Sequence, residues 1–172
     1  GQVKLTAVVD RINEGSETGK ERISSEIYSA TGQTIFDAKR NMHCYAEKRV
    51  SWYHLKYILI GENAAKEDVG TVLDFFCEND ENRFLHRLIL SKGMSAESFI
   101  TSAVTHTNKI TDTLDSLFEN IDRTGQSSEV QLLDYASTCE CKWTNLYIPT
   151  VELTLATHHA SSEGDADYMP VL

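Results

Sequence analysis

Between Leu55 and Glu62 the chain reads LKYILIGE, a nearly continuous apolar run. A strand with one face in water alternates apolar and polar residues. One that is apolar at successive positions is covered on both faces. This stretch therefore calls for a sheet with a layer on each side. HRLILSKG, His86 to Gly93, has the same character. Residues 3–12, VKLTAVVDRI, alternate instead, with Leu5, Ala7 and Val9 on one face, and ERISSEIYSA at 21–30 reads as a second strand. The short polar loop between them predicts antiparallel pairing. Pro149 introduces a final half-buried strand, TVELTLAT.

Helical spacing falls between these runs. Thr34 to Asp37 has the shape of a capping box, and Ile35, Ala38, Met42, Tyr45 and Ala46 then share one face. Asn63 is read as the cap of a short turn, Ala64 to Asp68, which Gly70 breaks before the apolar stretch Val72 to Phe76. Ser95 caps a short helix through Ile100. Ile110, Leu114, Leu117, Phe118 and Ile121 mark the strongest helix, which Gly125 ends. A Ser128-x-x-Gln131 box opens one more helix, through about Thr138. The order is β-β-α-β-α-β-α-α-α-β. It predicts a mixed α/β (α+β) domain over residues 1–160, a mixed sheet of about five strands flanked by helices, with a polar tail over 161–172.

Composition narrows the function. The 172 residues carry a net charge of −10 with pI near 5.0, which opposes nucleic-acid binding and docking on an anionic lipid surface. No run approaches the roughly 18 apolar residues of a membrane helix, and the start lacks a signal-peptide pattern. Four cysteines are too few for a disulfide scaffold at this length. Cys139 and Cys141 are too closely spaced for an ordinary zinc pair, and Cys44 and Cys77 read as buried thiols. His158, His159 and the acidic residues after them are ligand types in a polar tail. No metal and no cofactor is expected.

SATGQTIFDAKRNM, Ser29 to Met42, has the outline of a strand, glycine turn and helix, as many phosphate sites do. It holds one glycine, Gly32, and no lysine in the turn, so it matches neither phosphate fingerprint. Gly32 reads as a turn residue, Thr34 and Asp37 as the helix cap. No G-x-S-x-G is present. Two groups stand out as candidate partner contacts: the aromatic pair Trp52 and Tyr53, and the charged corner Asp80, Glu81 and Arg83 that follows Glu78. Their plainer readings are packing against the helix from Thr34 and a solvated loop.

Three stretches together resemble a known family: SATGQTIFDAKRNM, LKYILIGENAAKEDVGTVLDFF and ENDENRFLHRLILSKGMSAESFI. They look like the N-terminal domain of the Ger(x)C spore germination proteins. That family has a TG-x-T-I-F-D-A-like turn and helix, a strand ending in I-G-E, a helix ending in D-F-F, an acidic corner, and a strand ending in K-G. YIPTVELTL resembles its later strand, and the likeness covers roughly residues 3–158. Glu78 departs from it, standing where the family often has a basic residue.

The resemblance implies a non-enzymatic C subunit of a nutrient germinant receptor, with membrane-spanning A and B subunits as partners. It implies a lipid anchor at the outer face of the spore inner membrane, through an N-terminal cysteine that this chain lacks. The chain is accordingly expected to be an excised N-terminal domain. Two other readings remain: a small-ligand or anion sensor at the Gly32–Thr34 helix start, and a cell-wall hydrolase, which needs paired carboxylates in a cleft.

Overall fold

The computed structural model describes residues 1–13, 22–45, 50, 52–79, 83–106, 109–125, 127–141, 145–155 and 168–171. Strands β1 (Val3–Asn13) and β2 (Arg22–Gly32) form an antiparallel ribbon, in register from Val3 opposite Gly32 to Asn13 opposite Arg22. Helix α1 (Ile35–Tyr45) follows, then β3 (Tyr57–Ile60), α2 (Glu62–Glu78) and β4 (Arg87–Ser91). Helices α3 (Ala96–His106), α4 (Ile110–Thr124) and α5 (Leu132–Glu140) lead to β5 (Thr150–Leu155) and β6 (Tyr168–Val171).

The second sheet has the order β3-β4-β5-β6, with β3, β4 and β5 parallel and β6 antiparallel. The mixed α/β class therefore holds, but the strands divide into two sheets. β1 and β2 complete a ladder with each other. They hold to the rest by side chains, among them Lys4 to Glu97 at 2.6 Å and the Thr111 hydroxyl donating to Asp10 at 2.7 Å.

The apolar runs are covered on both faces as expected. Ile58, Ile60 and Leu88 join Leu73, Phe75, Phe76 and Leu132 in one layer. Ile89 and Val151 face the other, with Phe99, Ile110, Leu114, Phe118 and Ile121, and Tyr57 and Leu59 pack against it. A third cluster, Ala30, Met42, Val50 and Trp52, lies under the ribbon and α1.

Several local expectations shift. Gly61, not Asn63, caps α2, and the interruption falls at Asp68 rather than Gly70. Asp68 takes extended backbone and its carboxylate accepts the Thr71 N–H (3.1 Å) and hydroxyl (2.6 Å), so it caps the helix that restarts there. Helix α3 runs past Ile100 to His106, its start capped by Ser95, which accepts the Ser98 N–H at 3.1 Å. The box expected at Ser128 moves to Gln131 and Asp134. Residues 168–171 form β6 beside β5, an element absent from the sequence reading of a polar tail. His158, His159 and the acidic residues up to Asp167 lie outside the described residues.

Two glycines set the spacing between elements. A Cβ on Gly32 would stand 2.4 Å from the Ala38 nitrogen and 2.7 Å from Asp37 Cβ. On Gly61 it would stand 3.0 Å from the Ala96 nitrogen, where the starts of α2 and α3 meet. Glu62 closes that junction by accepting the Gly93 N–H at 2.6 Å. Gly93 itself has φ of 75°, a left-handed conformation that favours glycine. Gly32→Ala must push α1 off β2 and is expected to cost about 1–3 kcal/mol, read as a lower urea midpoint. An unchanged midpoint would mean that α1 slides freely on the ribbon.

Candidate functional site

The glycine turn is built as a helix start. Thr34 accepts the Asp37 N–H on its hydroxyl at 3.1 Å, and its carbonyl accepts the Ala38 N–H at 3.0 Å. Asp37 adds a carboxylate to the first turn and pairs with Arg40 at 3.1 Å. An acceptor and a negative charge thus already occupy the place where an anion would sit. On the outer face of α1, Phe36, Asp37, Lys39, Arg40 and His43 line an open hollow of about 410 Å³.

The paired aromatics separate. Trp52 is 5% exposed and lies in the core with Met42 and Ala30, with the Lys39 ammonium 5.5 Å from its ring centroid. Its burial removes it from the surface contacts and leaves its Nε1–H without an acceptor among the described residues. Tyr53 is exposed. Of the charged corner, Asp80 and Glu81 lie outside the described residues, while Arg83 is exposed.

Beyond Arg83 the chain turns through Phe84 and Leu85 into β4, and a buried histidine holds this turn. His86 is 2% exposed. Its Nε2 accepts the Arg83 N–H at 3.1 Å, so its Nδ1 carries the proton and donates to the Leu55 carbonyl at 2.7 Å. The Leu132 N–H donates to the His86 carbonyl, and the Leu133 N–H to that of Phe84, both at 2.9 Å. One imidazole therefore ties the turn at Arg83–His86 to the segment before β3, while the start of α5 supports it from the other side. Phe84, Leu85 and Leu133 all stand exposed here.

Behind the turn lies the densest charge network among the described residues. The Arg87 Nε donates to Glu129 at 2.8 Å, and its Nη1 reaches the Tyr57 hydroxyl at 3.2 Å and Asp115 at 3.4 Å. Tyr57 donates a short hydrogen bond to Asp115, which also pairs with Lys56 at 3.1 Å. The guanidinium covers the Phe118 ring at 5.3 Å, and Phe118 stacks on Tyr57.

Both carboxylates are held below their ordinary range. The Arg87 hydrogen bond does this for Glu129. Burial pushes Asp115 upward, but the Tyr57 and Lys56 bonds outweigh it. A glycosidase needs one carboxylic acid raised. This pair, ionised and shared by one guanidinium, has the chemistry of a clamp.

Sequence reasoning missed His86, Arg87, Asp115, Glu129 and the exposed pair Phe84 and Leu85. Asp115 and Glu129 lie 28 and 42 positions from Arg87, so no spacing rule joins them. The signal for His86 was a histidine opening an apolar run. The free cysteines also depart from expectation: Cys44 is exposed because its position on α1 faces outward, and Cys77 is half-buried.

Burial lowers the His86 pKa below the ordinary 6.5, against the raising effect of the Leu55 carbonyl. The unfolded chain then takes up a proton before the folded one does. The stability that neutral His86 contributes is full above pH 6.5 and lost as pH falls from there toward the folded value. Urea titrations of the wild type should show this slope between pH 7 and 5, and His86→Gln should flatten it. Parallel slopes would place the proton uptake elsewhere. Arg87→Met strands two partly buried carboxylates and is expected to cost about 1–3 kcal/mol. Lys109→Met breaks the i,i+3 pair with the more exposed Asp112 and should cost below about 1 kcal/mol. Equal costs in thermal unfolding would deny the network its clamping role.

Comparison with known proteins gives a clear family. The model of the spore germination protein N-terminal domain matches residues 1–153. A curated relative, named "Putative spore germination protein YfkR", from Bacillus subtilis (strain 168), is 29% identical over 65 residues. That match spans 38% of this chain and 17% of the relative. No solved structure matches significantly. No helix among the described residues is long and apolar enough to cross a membrane. The chain belongs to the spore germination protein N-terminal domain family.

Proposed function

We propose that this domain is part of the C subunit of a nutrient germinant receptor and acts by binding other proteins rather than by catalysis. The family assignment over residues 1–153 carries the reading, since it ties the chain to spore germination. The partners in this reading are the membrane-spanning A and B subunits. The full-length protein sits at the outer face of the spore inner membrane on an N-terminal lipid anchor. The site chemistry supports a binding role. The Arg87 network has its charges paired, and Tyr57, whose pKa burial and then the Asp115 hydrogen bond raise, keeps its proton at neutral pH.

The sensor reading has less support, because Thr34 and Asp37 already fill the helix start at Gly32. The hydrolase reading has less again, because Asp115 and Glu129 are both held ionised.

Deletion of the full-length gene in its host, together with any paralogue, tests the proposal. Spores are expected to lose their response to at least one nutrient germinant, measured as the fall in optical density and release of dipicolinate. Normal germination with every nutrient would end the receptor reading.

A further inference from the structure

We infer that Cys77 and Cys139 are a thiol pair that a small-molecule disulfide oxidises, joining α2 to α5 by a covalent bond. This goes beyond the receptor reading and does not depend on it.

The two helices pack against each other. After the interruption at Asp68, Gly70, Asp74 and Cys77 follow at i, i+4 and i+7 and so share one face of α2. The Tyr135 hydroxyl of α5 lies along that face. It donates to Asp74 at 2.8 Å and stands 3.4 Å from the Gly70 carbonyl. A Cβ on Gly70 would come within 3.7 Å of it. Cys77 is the next member of this row. On α5, Cys139 stands one turn after Tyr135 on the same face. A hydrogen bond joins the Tyr135 hydroxyl to the Cys139 thiol. Burial raises the Cys77 pKa, and Asp74 and Cys139 add to it, so both stand near its sulfur. Cys77 and Tyr135 also pack against the same apolar cluster. Asp74 and Cys77 from one helix therefore converge with Tyr135 and Cys139 from the other.

Exposure divides the roles. Cys139 is exposed and Cys77 is half-buried, so an incoming disulfide R–S–S–R meets Cys139 first. Cys139 gives its proton to solvent and its thiolate attacks one sulfur of the oxidant. A mixed disulfide forms and one thiolate R–S⁻ leaves. Cys77 then gives up its proton and attacks the Cys139 sulfur, and the second R–S⁻ leaves. The protein exchanges two S–H bonds for one S–S bond, and the oxidant, reduced by two electrons, takes up the two protons as two thiols. Cys141 is the competing partner, also exposed and two residues from Cys139. It has extended backbone beyond the end of α5, so it leaves the helix face that Cys139 shares with Tyr135.

The test uses the full-length protein, extracted from host membranes with its thiols reduced. It is treated with oxidised glutathione at about pH 8, near the ordinary thiol pKa. Digestion without reductant, followed by mass spectrometry, locates the links. In the folded protein the Cys77–Cys139 link is expected to exceed the Cys139–Cys141 link at least about tenfold, because the fold holds the first pair together. In urea the order should reverse, since the shorter loop closes more readily in an unfolded chain. Cys141→Ser should leave the native link unchanged. Cys139→Ser, at an exposed position, should abolish it while the protein still folds. A native pattern equal to that in urea overturns the pair. So does a Cys139–Cys141 link that dominates in the folded protein, or glutathione that stays on Cys139 without transfer to Cys77.

Discussion

Strands β3 and β4 have no face in water. Ile58 and Ile60 look into one apolar layer, while Tyr57 and Leu59 meet the other. A strand so enclosed can satisfy its backbone only through neighbouring strands, so the pairing of Tyr57–Ile60 with Arg87–Leu90 is obligatory. The rest follows from it. Parallel strands need crossovers, α2 supplies the first, and Gly61 lets the starts of α2 and α3 come together where the strands end. The bond from Gly93 to Glu62 joins the two strand ends, and Lys66, at 2.5 Å from Glu62, and then that bond hold the carboxylate ionised. The I-G-E and K-G landmarks of the sequence are thus the two sides of one contact.

The opposite end of the same strands carries the polar and exposed apolar features. His86 and Arg87 are adjacent in the chain but do different work. His86 is buried and fixes a turn through one proton and one lone pair. Arg87 lies between ring faces and carboxylates and joins β4 to α4 and to the segment before α5. Together they make a stiff base for Phe84 and Leu85.

Local physics left clear marks in the sequence. The ribbon, α1, α4 and the order of elements up to β5 were legible because each has a strong period or an unambiguous terminator. Gly125 ends α4 in a left-handed conformation, as its position after Ile121 suggested. The misplacements arose where several residues could do the same job. Asp68 breaks α2 instead of Gly70, since an aspartate side chain can replace a helical hydrogen bond and glycine merely tolerates the loss. Gln131 took the capping role from Ser128 because its backbone also meets Arg87 across an antiparallel bridge.

The sequence by itself determined the class of the fold, the two buried strands, the helix starts at Thr34 and Ser95, and the resemblance to germination proteins. Those depend on neighbours within a few residues, or on ordered landmarks along the chain. Tertiary structure alone decided that the ribbon stands as its own sheet and that Trp52 is buried while Tyr53 is exposed. It alone decided that Arg87 meets Asp115 and Glu129. Those outcomes depend on which surfaces the packed layers leave uncovered and on contacts between residues tens of positions apart, and no local period records either.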